Sequence, residues 1–127
     1  MNKIITIRNI QSAESFLKEA AGYPFLTAEQ AVELAKRIKE GDNEALQELY
    51  NCNLRFVVCV AKLYQDRGLT LEELIDAGSK GLEIAVRKFD PRRGFKFIAY
   101  AVWFIKTSIL ASLGVENQEN ESSNSNY

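Results

Sequence analysis

Apolar residues recur at helical spacing along most of this chain, in six stretches separated by short polar or glycine-containing breaks. The first opens near Ser12, with Ala13, Phe16, Leu17 and Ala20 on one face, and ends at Gly22 ahead of Pro24. Thr27-Ala28-Glu29-Gln30 reads as a capping box, in which the threonine hydroxyl accepts the Gln30 amide hydrogen and the glutamine side chain reaches back. The helix it starts turns Ala31, Val32, Ala35 and Ile38 inward and stops at Gly41, a residue suited to a left-handed C-terminal position. Asp42 caps a third helix with Ala45, Leu46 and Leu49 inward. Residues 53–64, NLRFVVCVAKLY, are the most apolar segment, with Arg55 and Lys62 its only charges. Length predicts a central helix buried on most sides. Val57, Val58 and Val60 would also suit a strand, and the helical neighbours favour helix.

Thr70-Leu71-Glu72-Glu73 is a second capping box, with Leu69 and Leu74 placed as a hydrophobic staple. The helix it opens carries a buried stripe of Leu74, Ile75, Gly78, Leu82, Ala85, Val86 and Phe89. Gly78 and Gly81 each lower helix propensity by about 1 kcal/mol relative to alanine, so their presence predicts another backbone passing close by. Asp90-Pro91 stops this helix. After an Arg92-Arg93-Gly94 turn, a last helix runs to Leu113. The fold class is therefore all-α: a compact helical bundle over residues 12–113. Residues 1–11, with Ile5 and Ile7 alternating with polar positions, read as a short extended arm. Residues 114–127, polar and acidic, read as a disordered tail.

Six of the thirteen aromatic residues fall between Phe89 and Leu113: Phe89, Phe95, Phe97, Tyr100, Trp103 and Phe104. Arg92, Arg93, Lys96 and Lys106 sit among them, with Asp90 the sole acid. Single-stranded nucleic acid is bound by such a mixture: bases stack on rings for about 1–3 kcal/mol each, and cations follow the phosphates. The same spacing also fits an amphipathic helix whose rings are core, since Phe97, Ala101, Phe104 and Ser108 trace one face. Ring spacing does not separate the two.

Charge sharpens the picture more by position than by sum. Sixteen basic and seventeen acidic residues leave a net charge of −1. An acidic patch (Asp66, Glu72, Glu73, Asp76 and Glu83) precedes the basic one, a distribution that points to two different partners. Histidine is absent, and Cys52 and Cys59 lie in an apolar helical pattern that fits two buried thiols in a reducing, cytoplasmic setting. No catalytic constellation, metal site, cofactor loop, signal peptide or membrane span is read from the residues. The chain is expected not to be an enzyme.

The segments NLRFVVCVAKLYQDRGL and LEELIDAGSKGLEIAVRKFDPRRGFKFIAYAVWFIKTSIL resemble region 2 of the bacterial sigma-70 family. Upstream, FLKEAAGYPFLTAEQAVELAKRIKEGDNEA is similar to region 1.2 of primary-type sigma factors. The opening ITIRNI followed by SAES is similar to primary sigma factors of the Bacteroidetes. The resemblance covers residues 5–113 and implies a region 2 type bundle that serves transcription initiation with two partners. In the family the helix matching Leu71 to Phe89 docks on the clamp of the largest subunit of core RNA polymerase. Here its docking positions are Leu71, Glu72, Glu73, Asp76, Ala77, Ser79, Lys80 and Glu83. The next helix recognises promoter DNA, opening the minus-ten element and holding its non-template strand. Phe95, Phe97, Tyr100, Trp103 and Phe104 fall on the melting aromatics, with Tyr100 where a ring replaces the flipped minus-eleven adenine. Arg92, Arg93, Lys96 and Lys106 match backbone-contacting cations.

The departures from the family pattern bear on both partners. Asp76, Ala77 and Ser79 replace other polar docking residues, Glu83 stands where methionine is common, and Lys80 adds a cation facing a basic clamp. Thr107 and Leu110 stand where glutamine and threonine read duplex edges at minus twelve, so base preference there is expected to weaken. The chain stops before the family's regions 3 and 4, from which a naturally truncated paralogue is expected. That expectation keeps a second reading open: a regulatory module that occupies polymerase or an anti-sigma factor without supporting initiation. A third is a bundle reused for unrelated partners.

Overall fold

The computed structural model describes residues 12–114. The arm expected over residues 1–11, and the expected tail apart from Gly114, lie outside the described residues. Six α-helices follow in order: α1 (Ala13–Ala20), α2 (Ala28–Lys39), α3 (Asn43–Asn51), α4 (Leu54–Lys62), α5 (Leu71–Lys88) and α6 (Phe97–Ser112). A 3-10 turn, Pro91–Arg93, joins α5 to α6, and there is no strand among the described residues. Segment 53–64 is thus helical.

The helix ends form by the chemistry their sequences carry. Thr27 Oγ1 accepts the Gln30 amide at 3.0 Å while Gln30 Oε1 accepts the Thr27 amide at 2.8 Å. Thr70 and Glu73 repeat this box at 3.1 and 2.8 Å. Asp42 Oδ1 accepts the amides of Glu44 and Ala45, and its Oδ2 accepts from Arg37 Nε at 2.9 Å. These bonds hold the Asp42 carboxyl below the usual carboxylate range, the Ala45 amide contributing most. Gly41, at φ 92°, closes α2 in the left-handed region.

The core runs through all six helices. Helix α5 packs most extensively on α6 and then on α4, with α2 against α3 and α1 against α4 and α5. Leu74, Ile75, Leu82, Ala85, Val86 and Phe89 are all buried, as the stripe predicts, and full burial of each aliphatic chain contributes about 1.5–3 kcal/mol. Of the two mid-helix glycines, Gly81 has the backbone neighbour expected and Gly78 does not. A Cβ on Gly81 would lie 2.3 Å from the Phe104 carbonyl oxygen and 2.8 Å from Ser108 Oγ, so the α6 backbone occupies the notch. At Gly78 a Cβ would meet only side-chain atoms: Val57 Cγ1 at 3.0 Å, Ile105 Cγ2 at 3.1 Å and Ile109 Cδ1 at 3.3 Å.

Three expectations need correcting. On α6 the buried stripe is Phe97, Ala101, Ile105 and Ile109, with Phe104 and Ser108 only half-buried beside it. The Gly81 notch draws the Phe104 backbone rather than its ring, which turns the helix by about one position. Leu17 is 38 % exposed, since α1 turns Phe16 and Ala20 fully into the core, with half-buried Ala13 beside them. Cys52 is buried as expected, but Cys59 is exposed on the outer side of α4. Burial raises the Cys52 thiol pKa, with Glu48 adding to the shift.

Candidate nucleic-acid interface

The link between α5 and α6 is built to expose cations and rings. Phe89 ends α5 in extended conformation, and Asp90 caps the 3-10 turn by accepting the Arg92 amide at 3.0 Å. The same carboxylate takes the Arg92 guanidinium at 3.0 and 2.9 Å. The Arg92 side chain, then its amide, hold Asp90 far below the usual carboxylate range, and Asp90 in turn raises the Arg92 pKa. Gly94 follows at φ 91°, and Lys96 leads extended into α6.

From this link an unbroken series of rings runs along one flank of α6. Phe89 meets Phe97 edge-on at 5.2 Å and Tyr100 at 5.5 Å between centroids. Phe95 lies nearly parallel to Tyr100, 5.5 Å away at 21°. Tyr100 meets Phe104 at 4.9 Å, and Phe104 meets Trp103 at 5.0 Å. Burial grades along the series. Phe89 and Phe97 belong to the core, Tyr100 and Phe104 are half-buried, and Phe95 and Trp103 are 45 % and 58 % exposed. The inner rings are thus core, as the amphipathic-helix alternative expects, while the outer ones reach the surface; Phe97, though buried, also lines a cleft at the protein surface.

Arg92, Arg93, Lys96 and Lys106 are exposed. Arg92 is paired to Asp90, whereas no acid among the described residues pairs with Arg93, Lys96 or Lys106. Thr107 is exposed and donates its hydroxyl to the Trp103 carbonyl at 2.7 Å; Leu110 is half-buried.

The α5 positions singled out in the sequence do not share one surface. Ala77 and Ser79 are buried, Ser79 with no hydrogen-bond partner for its hydroxyl. Glu72 Oε2 accepts the first free amide of α1, Ala13, at 2.9 Å, and Glu73 is engaged in its capping box. Leu71 is half-buried against the core. Outward remain Asp76, Lys80 and, half-buried, Glu83. Lys80 lies 3.6 Å from Asp76, and Glu83 is 3.2 Å from Arg87, so this face neutralises its own charges.

The family model for sigma-70 region 2 matches residues 49–115, more than half of the chain, and the model for sigma-70 factor region 1.2 matches residues 14–44. The chain belongs to the sigma-70 family. It is 48 % identical over 98 residues to the RNA polymerase sigma factor SigA of a Bacillus species. Identity is 45 % over 98 residues to SigA of Clostridium acetobutylicum, and 40 % over 102 residues to the sigma factor RpoS of Coxiella burnetii. These alignments cover 77 %, 77 % and 80 % of this chain but 26 %, 26 % and 29 % of the relatives. The chain thus spans about a quarter of the length of the curated relatives it matches.

In this sigma-70 chain, α1 and α2 lie in region 1.2, while α4, α5 and α6 lie in region 2. A cleft of about 230 Å³ opens at their junction, with Phe25 and Ala31 on one wall and Asn53, Phe56, Lys96 and Ile98 on the other. Phe25 is 68 % exposed, and the Arg55 guanidinium sits 3.7 Å over its ring while donating to the Tyr23 carbonyl. Sequence reasoning missed these residues. Phe25 belongs to no periodic pattern; the signal available was Arg55, a charge inside the most apolar segment. Among the described residues there is no cluster of ligating side chains suited to a metal ion, and no helix long and apolar enough to cross a membrane.

Proposed function

We propose that this chain is a sigma-type initiation module: α5 docks on core RNA polymerase, and α6 with its preceding turn captures bases of the minus-ten non-template strand. The observation that carries the reading is the ring series running out to exposed Trp103, flanked by Arg93, Lys96 and Lys106, with no acid among the described residues paired to them. A base extruded from a duplex loses its stacking, and an aromatic surface offsets part of that loss. Unpaired cations release counterions from phosphates, which makes the binding salt-dependent. No covalent step is required of the protein. The cleft beside Lys96 continues the surface toward region 1.2 and has the apolar walls and single cation that suit a flat, polar-edged group.

On the duplex side the reading is weaker in sequence preference. Thr107 and Leu110 cannot pair bidentately with an adenine edge, and the Thr107 hydroxyl is engaged with its own helix. Toward polymerase, the Asp76–Lys80 and Glu83–Arg87 pairs reduce the penalty that an isolated Lys80 would bring to a docked surface. The clamp of the largest subunit is the docking partner that the family resemblance implies.

The test pairs two measurements. The full chain should displace the host's primary sigma factor from core polymerase. The resulting complex should bind a minus-ten non-template oligonucleotide about tenfold or more tightly than its Tyr100→Ala, Trp103→Ala counterpart. Equal binding by the double variant would sink base capture. Displacement without promoter opening would instead assign the chain a polymerase-occupying, regulatory role.

A further inference from the structure

Tyr100 is surrounded by three other rings, and they differ in kind. Phe89 approaches at 54° and Phe104 at 63°; only Phe95, at 21°, lies parallel to it. Phe89 is fixed in the core at the end of α5, and Phe104 is held within α6. Phe95 alone of the three is held neither by a helix nor by the core. It sits between Gly94, at φ 91°, and Lys96, 45 % exposed, with Phe89 as its one other ring neighbour at 6.3 Å. Parallel stacking on Tyr100 is thus already made, by a side chain of this same protein that the core does not hold.

We propose that Phe95 is a resident competitor for the stacking face of Tyr100 and thereby determines which bases that face accepts. The proposal rests on the base-capture reading above and gives Phe95 the opposite role to a contact residue. On the Tyr100 face that Phe95 covers, a base reaches parallel contact only by displacing Phe95, so binding there is an exchange of one stacked ring for another. The exchange costs the Phe95–Tyr100 contact and returns the base–Tyr100 contact. It therefore favours a ligand whose stacking area exceeds that of a phenyl ring, a purine before a pyrimidine. The displaced ring is a loop side chain already half in water, so its release leaves the core intact.

Ring size at position 95 tests this directly. The full chain and its Phe95→Ala, Phe95→Trp and Tyr100→Ala variants are titrated with labelled oligothymidylate carrying one central adenine, and with the same strand carrying one cytosine. Matching unfolding midpoints confirm that the variants fold. A competitor predicts that Phe95→Ala binds both strands about two- to tenfold more tightly, with the larger gain for cytosine, so discrimination shrinks. Phe95→Trp then binds more weakly and discriminates more sharply. The opposite order, with Phe95→Ala weaker than or equal to wild type, overturns the proposal and makes Phe95 a wall of the site. Tyr100→Ala separates this result from failure of the broader reading. If it binds as well as wild type, there is no stacking site at Tyr100 and both ideas fall. If it loses affinity while Phe95→Ala also weakens, base capture stands and only the competitor is lost.

Discussion

The outer faces of α5 and α6 handle charge in opposite ways. Along α5, Asp76 faces Lys80 and Glu83 faces Arg87, so the charges close on one another within the helix. Along α6 and its link, Arg93, Lys96 and Lys106 stand without an acid among the described residues, beside rings that reach the surface. The inner faces of the same two helices meet through a glycine notch tighter than any side chain would allow. A surface that answers its own charges brings few unpaired charges to an interface; one that leaves cations and ring faces open can gain from an anionic, flat-ringed ligand.

The sharpest way to break this contrast is to cut α6 on its two sides. Ile105→Ala, at a fully buried position, should destabilise the fold by about 2–5 kcal/mol in urea unfolding. Trp103→Ala, two positions away, should change stability by less than about 0.5 kcal/mol and instead weaken single-strand binding by about 1–3 kcal/mol. Equal stability losses would mean that Trp103 is core after all. Next comes the notch: Gly81→Ala should cost about 2–3 kcal/mol, because the obstacle is backbone. Gly78→Ala should cost less than Gly81→Ala, since its nearest obstacles are side-chain methyls of Val57, Ile105 and Ile109 rather than backbone, and alanine regains about 1 kcal/mol of helix propensity.

A smaller effect distinguishes two acids in the first turns of α5. Glu72→Ala should cost about 1 kcal/mol and speed amide exchange in α1, because it removes the acceptor of the Ala13 amide. Asp76→Ala, on the exposed pair, should leave α1 exchange unchanged. The smallest effect is confined to acid. Asp90 has its pKa held below the value of about 3.9 of an unfolded aspartate. Its stabilisation is therefore fully present above that value and is lost as pH falls toward the folded-state pKa. Thermal unfolding of Asp90→Asn should parallel wild type at a constant offset at neutral pH, and the two curves should converge as pH drops below about 4.

Much of this was legible because local chemistry decided it. The capping boxes at Thr27 and Thr70, the Asp42 cap and the Gly41 stop each depend on residues within a few positions, and each formed. The glycine pair also announced a close neighbour, since mid-helix glycines need a reason. What failed to read was phase. Helix α6 is apolar on nearly every side, so its spacing fits several buried stripes, and the notch at Gly81 chooses among them. Ala77 and Ser79 were invisible as core because α5 is packed by several helices at once, which no single stripe describes. The Glu72–Ala13 bond joins residues 59 apart, and nothing near either one foretells it.

The notch at Gly81 has a mechanical consequence. With the Phe104 carbonyl seated where a methyl group would otherwise stand, α5 and α6 have no side-chain layer between them at that one point. A push on the outer side of α5 cannot be absorbed by rotating side chains at that point. It is handed to the α6 main chain at Phe104, between Trp103 and the ring that touches Tyr100. Backbone against backbone at that point ties the placement of the ring series on α6 to that of α5.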